Sequence, residues 1–325
     1  MNRRAALLAL LALGSAGAPL HAQRVPRIGY LLQSPVTEPP SRERQAFLDG
    51  LRELGYVPGR TVEIVYRSAE DQADFMDDMA RDLMSQKVDV VVVSGARATL
   101  AAKKATRAIP VVMLALGDPV GVGAVQSLGR PEGNVTGVSF ISSDLAAKRV
   151  QLIKELVPKA NGIAILWDPG NANARSEAAA TIAAARSLGM APQPLALTSD
   201  SALSDMLRDL TTRKPDVLYV AFEGGLVARN RTLIAEFGVK NRVPVISGWS
   251  FMTEAGGLIS YAPDIPAMFH RSAYYVHRIL QGAKPGQLPV EQPRKIELVL
   301  NQKTAREIGV RFSQSILLRA DRVIE

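Results

Sequence analysis

Histidine, cysteine and paired carboxylates carry most enzymatic chemistry, and this 325-residue chain offers them in few usable patterns. It has no cysteine, which removes disulfides, thiolate-bound zinc, iron–sulfur clusters and cysteine nucleophiles together. Of its three histidines, His21 lies in an apolar leader. His270 and His277 stand seven apart on one helical face, with no ligand partner beside them in the sequence. No nucleophile elbow, phosphate loop or HExxH pattern occurs. The GVG at 121–123 lacks the third glycine of a dinucleotide fingerprint and does not open a strand–helix unit. Catalysis therefore finds no support, and neither a cofactor nor a metal is expected. The chemistry that remains is the binding of a small polar molecule.

In open α/β sheets such a molecule binds outside the carboxyl ends of the strands, so the residues just after each strand are the candidates. Ser94, Ala98 and Thr99 follow a valine-rich strand in a turn of small residues that opens a helix. Unpaired N–H groups there, with the helix dipole, favour an anion such as a carboxylate by about 0.3–2 kcal/mol. The same residues also make a plain helix cap. Asp118, after the strand at 110–116, either accepts from a ligand ammonium or fixes the turn into the next segment. Ser34 and Gln33 follow the first strand. Asn173, in WDPGNAN after the strand at 162–167, offers donor and acceptor to an amide or zwitterion, or caps a helix. Glu223 follows the strand at 217–222 as a cleft-facing carboxylate or a solvated loop acid. Trp249, Tyr261 and Phe140 either wall a ligand between lobes or belong to the core.

The elements that must position these residues read as repeated βα units. RIGYLL at 27–32 is a buried strand, and 41–54 puts Ala46, Phe47, Gly50, Leu51 and Leu54 on one helical face. Strand 61–66, a helix burying Phe75 through Met84, strand 88–93, helix 96–107 and strand 110–116 follow. The near-continuous valine at 88–93 suits a parallel strand covered on both faces. After 134–141 the series resumes, with helices at 144–156, 173–188, 200–210 and 226–237 and strands at 162–167, 191–197, 217–222 and 244–247. Two such series mean two open, mostly parallel sheets in two similar lobes. A lone strand at 257–261, a helix at 264–281, a Pro/Gly-rich connector at 282–293, a strand at 296–300 and a short helix at 302–308 suggest a return to the first lobe.

At 47% apolar and 22% charged, the chain has an ordinary globular balance, which excludes disordered, collagen-like and coiled-coil classes. Its length favours two domains. Residues 1–22 read as a signal peptide: Arg3 and Arg4, an apolar run too short to span a membrane, then a cut near Gln23. Either general secretion or twin-arginine export fits, and the expected location is the periplasm. Losing Arg3 and Arg4 lowers the basic count from 39 to 37 against 31 acidic, a net charge of +6. These charges are interspersed and aromatics are only 5%, so no nucleic-acid-binding stripe is expected.

Longer motifs carry a resemblance. RIGYLLQSP, FLDGLRELGY, GRTVEIVYRSAE, VDVVVVSGARATLAAKKAT, IPVVMLALGDPVG and GNVTGVSF resemble the ABC-transporter substrate-binding family related to tryptophan and tyrosine uptake. AILWDPGNANA, EAGGLISYAPD, ILQGAKPGQLPVEQPRKIELVLN and RADRVIE extend it over essentially all of the mature chain. The resemblance implies an α/β type I periplasmic-binding-protein fold, two doubly wound parallel-sheet lobes joined by a three-segment hinge. The expected division is 24–139 plus 261–283 for lobe 1 and 140–260 plus 284–325 for lobe 2. It implies a non-enzymatic, monomeric periplasmic receptor that closes on a small, polar, amino-acid-like ligand, aromatic ones included, and delivers it to an ABC permease in the inner membrane. A ligand-sensing receptor serving a signalling partner is the alternative, and an exported enzyme is a more distant one. A sugar-responsive transcription regulator would need a DNA-binding segment where the signal peptide stands.

Overall fold

Buried strands alternate with amphipathic helices to build two sheets. A computed structural model describes residues 24–70, 72–140, 143–222, 224–293 and 295–325. The expected signal peptide lies outside the described residues.

The first sheet collects β1 (Arg27–Leu32), β2 (Glu63–Ser68), β3 (Val90–Val93), β4 (Val111–Leu116) and β5 (Val135–Ser139). All are parallel, in the order β2-β1-β3-β4-β5. Helices α1 (Arg42–Glu53), α2 (Met76–Ser85) and α3 (Ala96–Ala105) connect them. The valine strand explains itself here. Val90 and Val92 face one core with Phe47 and Leu51 of α1, while Val91 and Val93 face another with Leu83 of α2 and Ala98 and Ala102 of α3. A strand covered on both faces needs apolar residues at every position.

The chain then enters the second lobe. Helices α4 (Ala146–Leu156), α5 (Ala172–Ser187), α6 (Asp200–Thr212), α7 (Leu226–Arg229), α8 (Arg231–Asn241) and α9 (Ser250–Glu254) surround strands β6 (Gly162–Trp167), β7 (Ala191–Ala196), β8 (Val217–Val220), β9 (Val245–Ser247) and β10 (Ile259–Pro263). The helix expected at 226–237 is split at Asn230, whose side-chain amide bonds to the Leu226 carbonyl (2.8 Å) and to Asp200 (2.6 Å). From β10 the chain returns to the first lobe as α10 (Ile265–Leu280), whose Met268, Phe269, Ala273 and Val276 join the α1 face of the first core. Finally β11 (Ile296–Asn301), α11 (Gln302–Ile308), α12 (Gln314–Arg319) and β12 (Arg322–Ile324) complete the second sheet. Its order is β12-β11-β10-β9-β8-β6-β7, parallel except where β10 meets β11.

The lobe crossings differ by a few residues from the expected boundaries at 261 and 284. Tyr261 to Pro263 pair with β11 in the second sheet, so the second crossing falls at Asp264, which caps α10. The stretch 288–291 stays with the first lobe. Thr136 donates to the Leu288 carbonyl (2.7 Å) and the Ser139 N–H to the Glu291 carbonyl (2.8 Å). Backbone pairing, which hydropathy does not encode, sets both limits.

Candidate functional site

A cavity of about 750 Å³ lies between the lobes at the carboxyl ends of β1, β3, β6, β8 and β9. This is where two facing α/β sheets leave ligand-sized space.

Its polar end is built from both lobes. In the first, β3 ends into Gly95, which takes φ 84° and ψ 164°, a backbone region open essentially to glycine. No side chain caps α3, and its first turn carries no acid, so unpaired N–H groups and the positive dipole end remain for a ligand. Ser94 and Arg97 line the cavity beside that turn. In the second lobe, β6 ends into Asp168, whose Oδ1 accepts the Gly170 N–H (2.8 Å). Arg97 reaches across and donates to the Gly170 carbonyl (2.9 Å), so the lobes touch at the cavity's edge. A Cβ on Gly170 would lie 3.1 Å from Asp168 Oδ1 and 3.6 Å from Arg97 Nη2. A cation from one lobe and an anion from the other thus converge on one point, the charge pattern that complements a zwitterion.

The apolar end is aromatic. Phe140 stacks on Phe222 at 5.5 Å, and Trp249 meets both edge-on at 5.0 and 5.1 Å. Phe251 lies 6.5 Å beyond Trp249, and Tyr30 and Phe269 close the wall from the first lobe. Offset and edge-on rings at these spacings are the favourable arrangements. Phe222 holds a left-handed φ of 46°, a strained conformation for a bulky residue, next to the glycine pair 224–225.

Cations guard the cavity beyond the rings. Arg44 is 3% exposed, donates to the Thr37 carbonyl and to Glu38 (3.2 Å), and lies 5.6 Å from the Tyr66 ring. Arg231 lies 5.2 Å over Phe251, and burial pulls its pKa below the ordinary guanidinium value against the pull of Glu43 and Glu254. Burial pushes the Tyr30 phenol well above its usual range. Among the described residues, no cluster of histidine and carboxylate side chains could hold a metal ion.

Of the residues expected from the sequence, Gln33, Ser34, Ser94, Phe140 and Trp249 line this cavity. Ala98 and Thr99 do not. They sit on the inner face of α3, Ala98 in the core and Thr99 donating to the Gly95 carbonyl (2.7 Å), while Arg97, Leu100 and Lys104 take the cavity face. Asp118 is used locally, accepting the Gly121 N–H (2.8 Å) as a turn former outside the cavity wall. Asn173 is buried against Gly117 where the lobes meet, also outside that wall. The Tyr261 ring packs with the second core, and its carbonyl accepts from Arg149 (2.8 Å). Glu223 lies outside the described residues. Asp168, Arg97 and Phe222 were within reach of the same strand-end rule. Arg44 and Tyr30 were not, because neither follows a strand: Arg44 sits in the first turn of α1 and Tyr30 in the middle of β1.

Residues 35–324 match the family model described as ABC transporter substrate binding protein. A tyrosine-binding protein of Clostridioides difficile (strain R20291) is 25% identical over 280 residues, 85% of this chain and 80% of that one. The crystal structure of an ABC domain from Streptococcus pneumonia in complex with L-Trp superposes with a TM-score of 0.83 at 27% identity. It covers 92% of this chain and 99% of its own. A conserved domain protein from Vibrio cholerae gives a TM-score of 0.85 at 27% identity over 92% of this chain and all of its own.

Proposed function

This chain belongs to the ABC transporter substrate-binding protein family, and from that premise we propose that it is an exported receptor. It closes on an amino acid with an aromatic side chain, releases it unchanged, and presents it to a membrane permease. The observation that carries this reading is the pairing of Arg97 and the α3 N-terminus in one lobe with Asp168 in the other, next to the Phe140–Phe222–Trp249 wall. The α-carboxylate accepts from the first turn of α3 and from Arg97. The α-ammonium donates to Asp168. The side-chain ring fills the aromatic end. A ligand that touches both lobes favours the closed state by its differential contacts. The tyrosine and tryptophan named for the relatives agree with this division of the cavity.

Calorimetry with L-tryptophan, L-tyrosine and L-phenylalanine tests the reading, with tryptamine and indole-3-propionate as analogues lacking one charge each. Each charge-assisted hydrogen bond is worth about 1.5–3 kcal/mol, so each analogue binds at least about tenfold more weakly. Small-angle scattering shows a smaller radius of gyration on saturation. Failure of all three amino acids to bind would remove the proposal.

A further inference from the structure

The second lobe buries a full ion pair away from the cavity. Arg149 is 1% exposed and Glu177 is not exposed at all. Arg149 Nη1 donates to Glu177 Oε1 (3.0 Å) and lies 3.2 Å from the Tyr219 hydroxyl, which itself donates to Glu177 (2.6 Å). Burial works against the charge, but Tyr219 and Glu177 outweigh it and leave the Arg149 pKa above its ordinary value. Desolvating two charges offsets most of what their attraction returns, so such a pair is weak evidence of stability, and what it positions becomes the informative property.

Two contacts answer that. Arg149 Nε donates to the carbonyl of Tyr261 on β10, the strand that leads into the second lobe crossing (2.8 Å). The guanidinium also lies flat against Gly248, where a Cβ would stand 2.6 Å from Cζ and 2.6 Å from Nη2. Gly248 directly precedes Trp249 and follows β9, so the guanidinium is the floor under the turn that carries the cavity's indole. Arg149 itself lies on α4, the first α-helix after the first crossing. A single planar side chain thus touches the segment before Trp249 and the strand before the hinge.

We propose that Arg149, oriented by Glu177 and Tyr219, is a positioning residue that sets how far the Ser247–Trp249 turn advances into the ligand cavity. A planar, delocalised cation suits this task, since it offers Nε to a carbonyl and a flat face to a glycine at once.

The test separates position from stability. In a Trp167→Phe background Trp249 is the remaining tryptophan, so its acrylamide quenching in the ligand-free protein reports its shielding. The triple variant Arg149→Met, Glu177→Met, Tyr219→Phe removes the cluster together, so neither charge of the pair stays buried without the other. It is expected to unfold cooperatively near the parent's midpoint, to show at least about twofold greater Trp249 quenching, and to bind L-tyrosine roughly tenfold or more weakly. Arg149→Lys keeps the charge but not the flat face, so its Trp249 signal stays displaced. The idea is overturned if the triple variant keeps both the parent's quenching and its affinity. Should the triple variant not fold, Tyr219→Phe alone must move Trp249 quenching in the same direction, and an unchanged signal rejects the role. The binding arm rests on the aromatic amino-acid reading, whereas the quenching arm needs no ligand. If the parent ignores L-tyrosine, that reading fails and quenching alone decides this one.

Discussion

At the scale of single residues, two carboxylates of similar sequence context have different fates. Asp118 and Asp168 each follow a strand and precede a proline, yet Asp118 fixes its own turn while Asp168 lines the cavity opposite Arg97. Asp168→Asn keeps the acceptor for Gly170 and removes the charge. It is expected to weaken aromatic amino-acid binding by about ten- to a hundredfold in calorimetry. Asp118→Asn is expected to leave affinity within about twofold, as a group outside the cavity should. Equal effects at the two positions would relocate the ammonium site. The phenols give a second residue-scale expectation. Burial raises Tyr30, Tyr219, Tyr275 and Tyr66 above the ordinary value of 10.0. A raised folded value means that their contribution to stability is complete below pH 10 and is lost as pH rises through that higher value. Of the seven tyrosines, these four should therefore stay un-ionised in a native-state alkaline titration read by phenolate absorbance, until unfolding exposes them. Simultaneous ionisation of all seven in folded protein would contradict their burial.

At the scale of elements, α3 decides which residues reach the ligand. Its helical period sends Ala98, Thr99 and Ala102 inward and Arg97, Leu100, Ala101 and Lys104 to the cavity, so a turn of small residues at a strand end is the right element with the wrong face chosen. Gly95 sets the angle at which α3 leaves β3. A Cβ there meets nothing within 4 Å, so any cost of Gly95→Ala is conformational and not steric crowding. The substitution is expected to cost about 1–3 kcal/mol in denaturant unfolding, since an alanine must leave that backbone region. It should weaken ligand binding as well, by turning the first N–H groups of α3. A stability loss below about 0.5 kcal/mol would mean that the turn adapts freely.

At the scale of the whole molecule, a charged contact joins the two lobes. Arg42 of α1 reaches Glu254 of α9 across the cleft at 3.3 Å, and Arg322 holds the same carboxylate from the second lobe. Both partners of the Arg42 pair keep substantial solvent exposure, so the pair is worth at most about 1 kcal/mol. Arg42→Ala is expected to speed ligand release in stopped-flow by up to about fivefold at low salt. The difference should shrink sharply near 1 M salt, where exposed charges act over only about 3 Å. A salt-independent acceleration would mean that Arg42 acts by packing.

Chain order and hydropathy were enough to predict two parallel α/β lobes and a return of the helix at 264–281 to the first. Periodicity in a strand or helix reports which residues are buried, and the absence of cysteine and of histidine clusters needs no structure to be read. The family resemblance, carried by long motifs along the chain, added the receptor role. Which polar residue of each strand-end loop faces the ligand was decided only in three dimensions. Thr99 and Asp118 are spent on the protein's own backbone and Asn173 is buried against Gly117, while Asp168 and Arg97 meet because the fold brings two distant loops together at Gly170. Arg44 and Arg149 are buried arginines on the apolar faces of their helices, Arg44 with Phe47, Leu48 and Leu51 and Arg149 with Ala146, Val150 and Ile153, where periodicity gives the burial but not the partners. Their burial follows from a second element packing over those faces, and pairing between distant segments is what a one-dimensional pattern does not contain.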